Sequence, residues 1–261
     1  MSKAKENWKK FWANVWEIIK ESFILVTFFG ILSGIAFMGT ISEDWCGPIS
    51  EGFNGKRIAF LVVIAVLLLA YAGVMAYAFG SKGYEMLVSG NMKRMSAEQL
   101  GSQMKISSHK EEMEYREWKG FAIGGVIAFF TVLFGVLVGI NGDTVNEAFQ
   151  SLSTTEEAGA AFNNQGMAIF VLVSMLCCGW SLLPFAYLNV SGVAISYFWS
   201  CLFGLLPIII AGIFYIVGAY AARAKRVRAQ EKADRAAAEE ANKPKKVNYG
   251  ALPGTKPKKR K

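Results

Sequence analysis

Four stretches of this 261-residue sequence, residues 23–41, 58–80, 121–140 and 167–222, contain no Asp, Glu, Lys, Arg or His. A bilayer core about 30 Å thick is crossed by about twenty helical residues. No water is available there to satisfy backbone N–H and C=O groups, so apolar runs of that length are expected to span as helices. Hydrophobic residues make up 53% of the chain and charged residues only 18%, which is too apolar for an ordinary soluble domain. The expected fold class is all-α, a polytopic helical membrane bundle.

Charge orients the spans. The segment 141–166 carries Asp143, Glu147, Glu156 and Glu157 and no Lys or Arg, whereas the N-terminus is rich in Lys and the segment 81–119 and the C-terminal tail in Lys and Arg. Positive charge marks the cytoplasmic side, so both termini and the loop 81–119 are expected inside and the loop 141–166 outside. Residues 167–222 must then cross an odd number of times. One pass is short for that length, and three need roughly sixty residues plus turns. The expectation is four full spans, the last about 202–222, plus one re-entrant or interfacial apolar segment; the alternative is five spans with the tail outside. Pro184, which removes a helical donor, and Gly192, in the turn-forming stretch Asn189-Val-Ser-Gly192, are the expected helix break.

The rest of the chain divides by composition. In residues 1–22, Trp8, Phe11, Trp12, Val15, Trp16 and Ile19 recur at helical spacing with lysines opposite, an amphipathic helix suited to the headgroup layer. Trp8, Trp12 and Trp16 are the expected interfacial anchors of a bundle occupying 23–222. The loop 81–119 holds two capping-box patterns, Ser96-Ala-Glu-Gln99 and Ser108-His-Lys-Glu111. From the second, supported by a Glu112–Arg116 pair, a helix is expected to continue through Trp118 into the third span. Residues 223–241 predict a charged juxtamembrane helix, and Pro, Gly and Lys in 242–261 predict a disordered polybasic tail.

The formal net charge of +8 is concentrated in that last portion. Arg223, Lys225, Arg226, Arg228, Lys245, Lys246, Lys258, Lys259, Arg260 and Lys261 are the candidate docking residues for anionic lipid headgroups, RNA including the ribosome, or an acidic protein face. Lys243-Pro-Lys-Lys246 and the terminal Lys256-Pro-Lys-Lys-Arg-Lys261 resemble nuclear-import signals by composition, but on a membrane-anchored tail electrostatic docking is the economical reading. Small residues supply a second set of candidates. Gly30 and Gly34, and Gly124, Gly135 and Gly139, permit close helix packing, within the chain by default and otherwise against another membrane subunit or a second copy.

Chemistry is thinly represented. Glu111-Glu112-Met113-Glu114-Tyr115-Arg116 resembles the E-E-x-x-x-R element of intramembrane CAAX-type proteases. Those enzymes also need histidines on neighbouring spans, and the single histidine here, His109, lies in the same polar loop. Three of the four cysteines, Cys177, Cys178 and Cys201, fall in apolar stretches as small hydrophobes, and Cys46 has no partner on its side of the membrane. There is no HExxH pattern and no phosphate-binding loop. The expectation is therefore a protein with no catalytic, cofactor or metal site: a non-enzymatic membrane scaffold or accessory subunit, in a bacterial plasma membrane judging from the compact loops. The alternative is a channel or facilitator for a small solute, or a transporter subunit, using the broken segment near Pro184.

Overall fold

The structure is a computed structural model that describes residues 3–99, 110–151 and 165–242. The chain divides into a bundle unit ending at Ala222 and a second unit beginning at Arg223. Among the described residues every element is helical: α1 (Lys3–Ile41), α2 (Glu43–Cys46), α3 (Gly55–Gln99), α4 (Trp118–Ile140), α5 (Gly142–Ser151), α6 (Gln165–Val190), α7 (Trp199–Gly204) and α8 (Leu206–Asn242), with 3-10 turns at Ile49–Glu51 and Glu111–Met113. Among the described residues five segments are long and apolar enough to cross a bilayer: Lys5–Ile41, Gly55–Met95, Trp118–Ile140, Ile169–Val190 and Trp199–Asn242.

α6 is the central helix. Of its apolar window 56% is buried, against 28% to 39% in the other four. Its inward residues Val171, Met175, Cys178, Leu182, Leu183, Ala186 and Tyr187 meet Leu25 and Phe29 of α1 and Leu68 of α3 in one core. Outside that core, large apolar side chains such as Phe23, Val66, Phe129 and Ile209 are more than half exposed. A surface of that kind is costly in water and suited to lipid. Exposed Trp16 and Trp118 lie at one end and Trp45 and Trp199 at the other. The 23 residues of α4 lie between these tryptophan pairs, about 35 Å of helix, which matches a hydrocarbon core with its interfaces.

Several boundaries differ from the sequence expectation, each for a local reason. α1 runs unbroken across the expected join at 22/23, because neither Pro nor Gly interrupts the hydrogen-bond ladder between Lys3 and Phe29. α3 continues to Gln99, so the first half of the expected loop 81–119 is helix, and Ser96 lies in its last turn instead of capping a new one. Residues 110–117 are not a helix running into α4, and Ser108 and His109 of the second capping pattern lie outside the described residues. Glu114 is extended (φ −64°, ψ 150°), and α4 starts only at Trp118. The strap 110–117 is drawn across the bundle by tertiary bonds that outweigh its helical pairing: Tyr115 N donates to the Gly83 carbonyl at 2.9 Å, and Arg94 pairs with Glu114 at 2.8 Å. The loop 141–166 likewise contains a helix, α5, whose Val145, Ala148 and Phe149 are buried.

Pro184 is the clearest correction. α6 passes through it and ends six residues later at Val190. Proline removes one donor from the ladder, and a long packed helix in lipid tolerates that loss. The break falls at Gly192, whose φ of +84° requires glycine. Val193 N donates to Leu188 O and Gly192 N to Asn189 O, the paired bonds of a Schellman ending. Replacing Pro184 with Ala should therefore leave thermal stability in detergent unchanged or raised by up to about 1 kcal/mol; a marked loss would mean that the proline shapes the helix.

Candidate functional site

The structure gathers polar groups at both ends of the bundle. α6 is parallel to α1: Gly30 of α1 faces the Leu176 carbonyl, and Ser33 Oγ accepts from Trp180 N at 3.4 Å. At the top of this pair, Phe53 N in the α1–α3 connection donates to Ser191 Oγ at 2.7 Å. α8 is antiparallel to α4, since Gly124 meets Pro207 and Gly120 meets Ala211 and Tyr215. The ends of α1, α4 and α6 therefore share one end of the bundle, where Tyr197 also donates to Asn146 at 2.5 Å.

Arg57 organises that end. It is completely buried, and among the described residues no carboxylate pairs with it. Nε donates to Thr40 O at 3.1 Å, Nη1 to Gly52 O at 2.6 Å and Nη2 to Gly47 O at 2.5 Å. The guanidinium lies over the Tyr187 ring, 4.9 Å from its centroid. A buried charge is tolerated only when its hydrogen bonds are made, and here the fork of one side chain ties the end of α1, both turns of the connection and α6. The sequence places Arg57 at a loop end. Its weight becomes visible only when Gly47 and Gly52, with φ of +79° and +61°, turn their carbonyls inward. Cys46, in the polar loop, is buried beneath this cap at 3% exposure.

The opposite end is built around Lys119, 2% exposed, whose ammonium donates to the carbonyls of Glu112 and Glu114, the latter at 2.9 Å. Tyr115 stacks on Tyr215 with centroids 5.5 Å apart. Burial raises the Tyr115 hydroxyl above its ordinary value, with Glu117 adding to the shift, so it stays protonated and neutral. Lys10 of α1 reaches Glu111 at 4.0 Å. The glutamates of the E-E-x-x-x-R element thus belong to a 3-10 strap that α4 and α1 hold by its backbone and rim.

The glycine candidates face neighbours inside the chain. A Cβ at Gly124 would stand 2.5 Å from the Pro207 carbonyl, at Gly135 3.0 Å from Cys201 Sγ, at Gly139 2.9 Å from the Phe198 ring, and at Gly34 2.9 Å from Leu176 Cδ2; Gly30 has more room, 3.7 Å. The tightest approaches are at glycines the sequence reading did not single out. Gly80 sits against the Tyr215 carbonyl and Gly218 against that of Tyr77, where α3 and α8 cross backbone to backbone. Trp8, Trp12 and Trp16 project from one face of α1, each more than half exposed. In the second unit Arg223, Lys225, Arg226 and Arg228 are exposed, as is every described residue to Asn242. Lys245, Lys246, Lys258, Lys259, Arg260 and Lys261 lie outside the described residues.

Among the described residues no cluster of His, Cys, Asp and Glu could hold a metal ion, and all four cysteines are free. What these elements define is an all-α, multi-span candidate membrane bundle, closed at one end by a buried arginine and at the other by a backbone-bound lysine. The chain matches no family model, no curated protein and no solved structure.

Proposed function

We propose that this protein is a non-enzymatic integral membrane scaffold or accessory subunit, with four full spans, one re-entrant or interfacial apolar segment and both termini in the cytoplasm of a bacterial cell. It holds a polybasic tail at the membrane surface. The observation that carries this reading is the second unit, a helix exposed on every described residue from Arg223 to Asn242 and charged around its circumference. Such a helix buries nothing of its own and is built to stay solvated or to dock. Its continuation supplies the cations of the last twenty residues. The four-plus-one count is supported by the charge pattern, which keeps the basic termini and the segment 81–119 on one side and the acidic segment 141–166 on the other. The solute-path alternative uses the stretch from Pro184 to Gly192, of which α6 covers Pro184 to Val190 and the break falls at Gly192.

Anionic lipid is the partner favoured by this arrangement, because the cations follow directly on a membrane helix and each contributes about 1 kcal/mol near an anionic surface. With Lys245, Lys246, Lys258, Lys259, Arg260 and Lys261 replaced by Gln, the full-length protein in neutral nanodiscs should bind vesicles containing anionic phospholipid at least 100-fold more weakly at low salt. Wild-type binding should fall toward that level in 1 M salt. Co-flotation measures both. Equal binding by the two proteins would overturn the reading, and tighter capture of RNA or of an acidic protein than of vesicles would reassign the partner.

A further inference from the structure

Between α1 and α4 lies an open apolar groove of about 540 Å³ whose walls include Ile19, Phe23, Val26, Ala122, Gly125 and Phe129. Its volume falls in the range of about 300–1,000 Å³ that small ligands occupy. From Ile19 to Val26 it runs about 10 Å along α1, starting at the level of the inner tryptophans. Trp16 precedes Ile19 and Phe23 on the same stripe of α1, and Trp118 stands one turn before Ala122 on α4; both are exposed, at 59% and 47%. The Lys20 ammonium lies 5.6 Å above the Trp16 ring, at the mouth.

Lys20 is not opposite the tryptophan face as the spacing led one to expect: it lies over Trp16 at the edge of this stripe, with Glu17 as its i−3 neighbour and Glu21 farther round the helix. Glu6 is paired with Lys10 at 3.6 Å, and Glu21 shares the field of Lys119 and Lys82. The mouth therefore offers one cation, Lys20, and the indole N–H donors of Trp16 and Trp118, and the interior offers only hydrocarbon. Gly125 is where the groove is kept open. Glycine weakens a helix unless its missing side chain is used, and Gly124 beside it packs on Pro207, yet a Cβ at Gly125 would meet nothing within 4 Å.

We infer that this groove is a specific site for one anionic glycerophospholipid of the leaflet at the N-terminal end of α1. Its phosphate is held by Lys20 between Trp16 and Trp118, and an acyl chain lies over Gly125 between Phe23 and Phe129. The site does not depend on the polybasic tail, so a tail that fails to bind vesicles leaves it standing.

Full-length protein in phosphatidylcholine nanodiscs, photolysed with trace phosphatidylglycerol or phosphatidylcholine carrying a mid-chain diazirine, tests it by peptide mapping. Phosphatidylglycerol should label peptides containing Phe23, Val26 or Phe129 at least fivefold more than phosphatidylcholine does. Gly125→Leu, which fills open space and should fold normally, should cut that labelling at least fivefold. Lys20→Gln should bring the two lipids to parity while labelling persists. Equal labelling by both lipids in the wild type, labelling spread evenly over the other helices, or labelling indifferent to Gly125→Leu would overturn the assignment.

Discussion

Replacing Arg57 with Met should lower the thermal midpoint of the purified protein by roughly 10 °C and expose Cys46 to maleimide. The substitution retains an unbranched apolar stem but strands three buried carbonyls, those of Thr40, Gly47 and Gly52. An unsatisfied buried acceptor costs about 1–3 kcal/mol, so the loss is at least about 3 kcal/mol, which for a chain of this size corresponds to that shift. The cap also shields Cys46, now 3% exposed, so its labelling rate is an independent reporter of the same opening. Lys at position 57 should rescue little. One ammonium cannot reproduce a planar fork that spans three carbonyls and stacks on Tyr187. A midpoint within 2–3 °C of wild type, with Cys46 still protected, would show that the connection between α1 and α3 is held by its other bonds, chiefly that between Phe53 and Ser191.

A larger effect is expected where α3 crosses α8. Gly80→Val or Gly218→Val places carbon directly against a backbone carbonyl, of Tyr215 and Tyr77 respectively. Neither carbonyl can rotate away without breaking its own helix. Overpacking that side chains absorb costs about 1–3 kcal/mol; with backbone on the opposing side the helices must separate, taking Tyr215 off Tyr115 and loosening the strap 110–117. Little monodisperse protein should survive size-exclusion chromatography. Gly55→Ala, where a Cβ would meet nothing within 4 Å, is the matched control and should behave as wild type. Normal recovery of both valine variants would refute the close crossing.

The contrast between these glycines and those picked out from the sequence shows what was legible. The fold class was, because an apolar run of span length has few physical solutions, and 23–41, 58–80 and 121–140 each fall within one helix. Gly124, Gly135 and Gly139 stood out because they repeat along one face of a single span. Gly80 and Gly218 did not, although Gly73 and Gly83 share the face of Gly80, since their use depends on which helix crosses there, a long-range fact. The same limit hid Arg57, whose partners lie up to 17 residues away in chain and whose stacking partner is on α6. Local rules were outweighed where tertiary bonds were stronger: the capping pattern at Ser96 lost to the continuation of α3, and the Glu112–Arg116 spacing lost to Lys119 and Arg94 drawing the strap into an extended turn. Proline was read as a break because its cost in water is large, and a centrally packed helix pays only one bond.

The bond between Phe53 and Ser191 joins residues 138 positions apart. At about 5–20 residues per second a ribosome needs roughly 7–28 seconds to make that stretch. The three carbonyls that Arg57 binds are all made before it, so the turn can close on its own guanidinium at once, and only the stacking on Tyr187 and the bond from Phe53 to Ser191 wait for α6 to arrive.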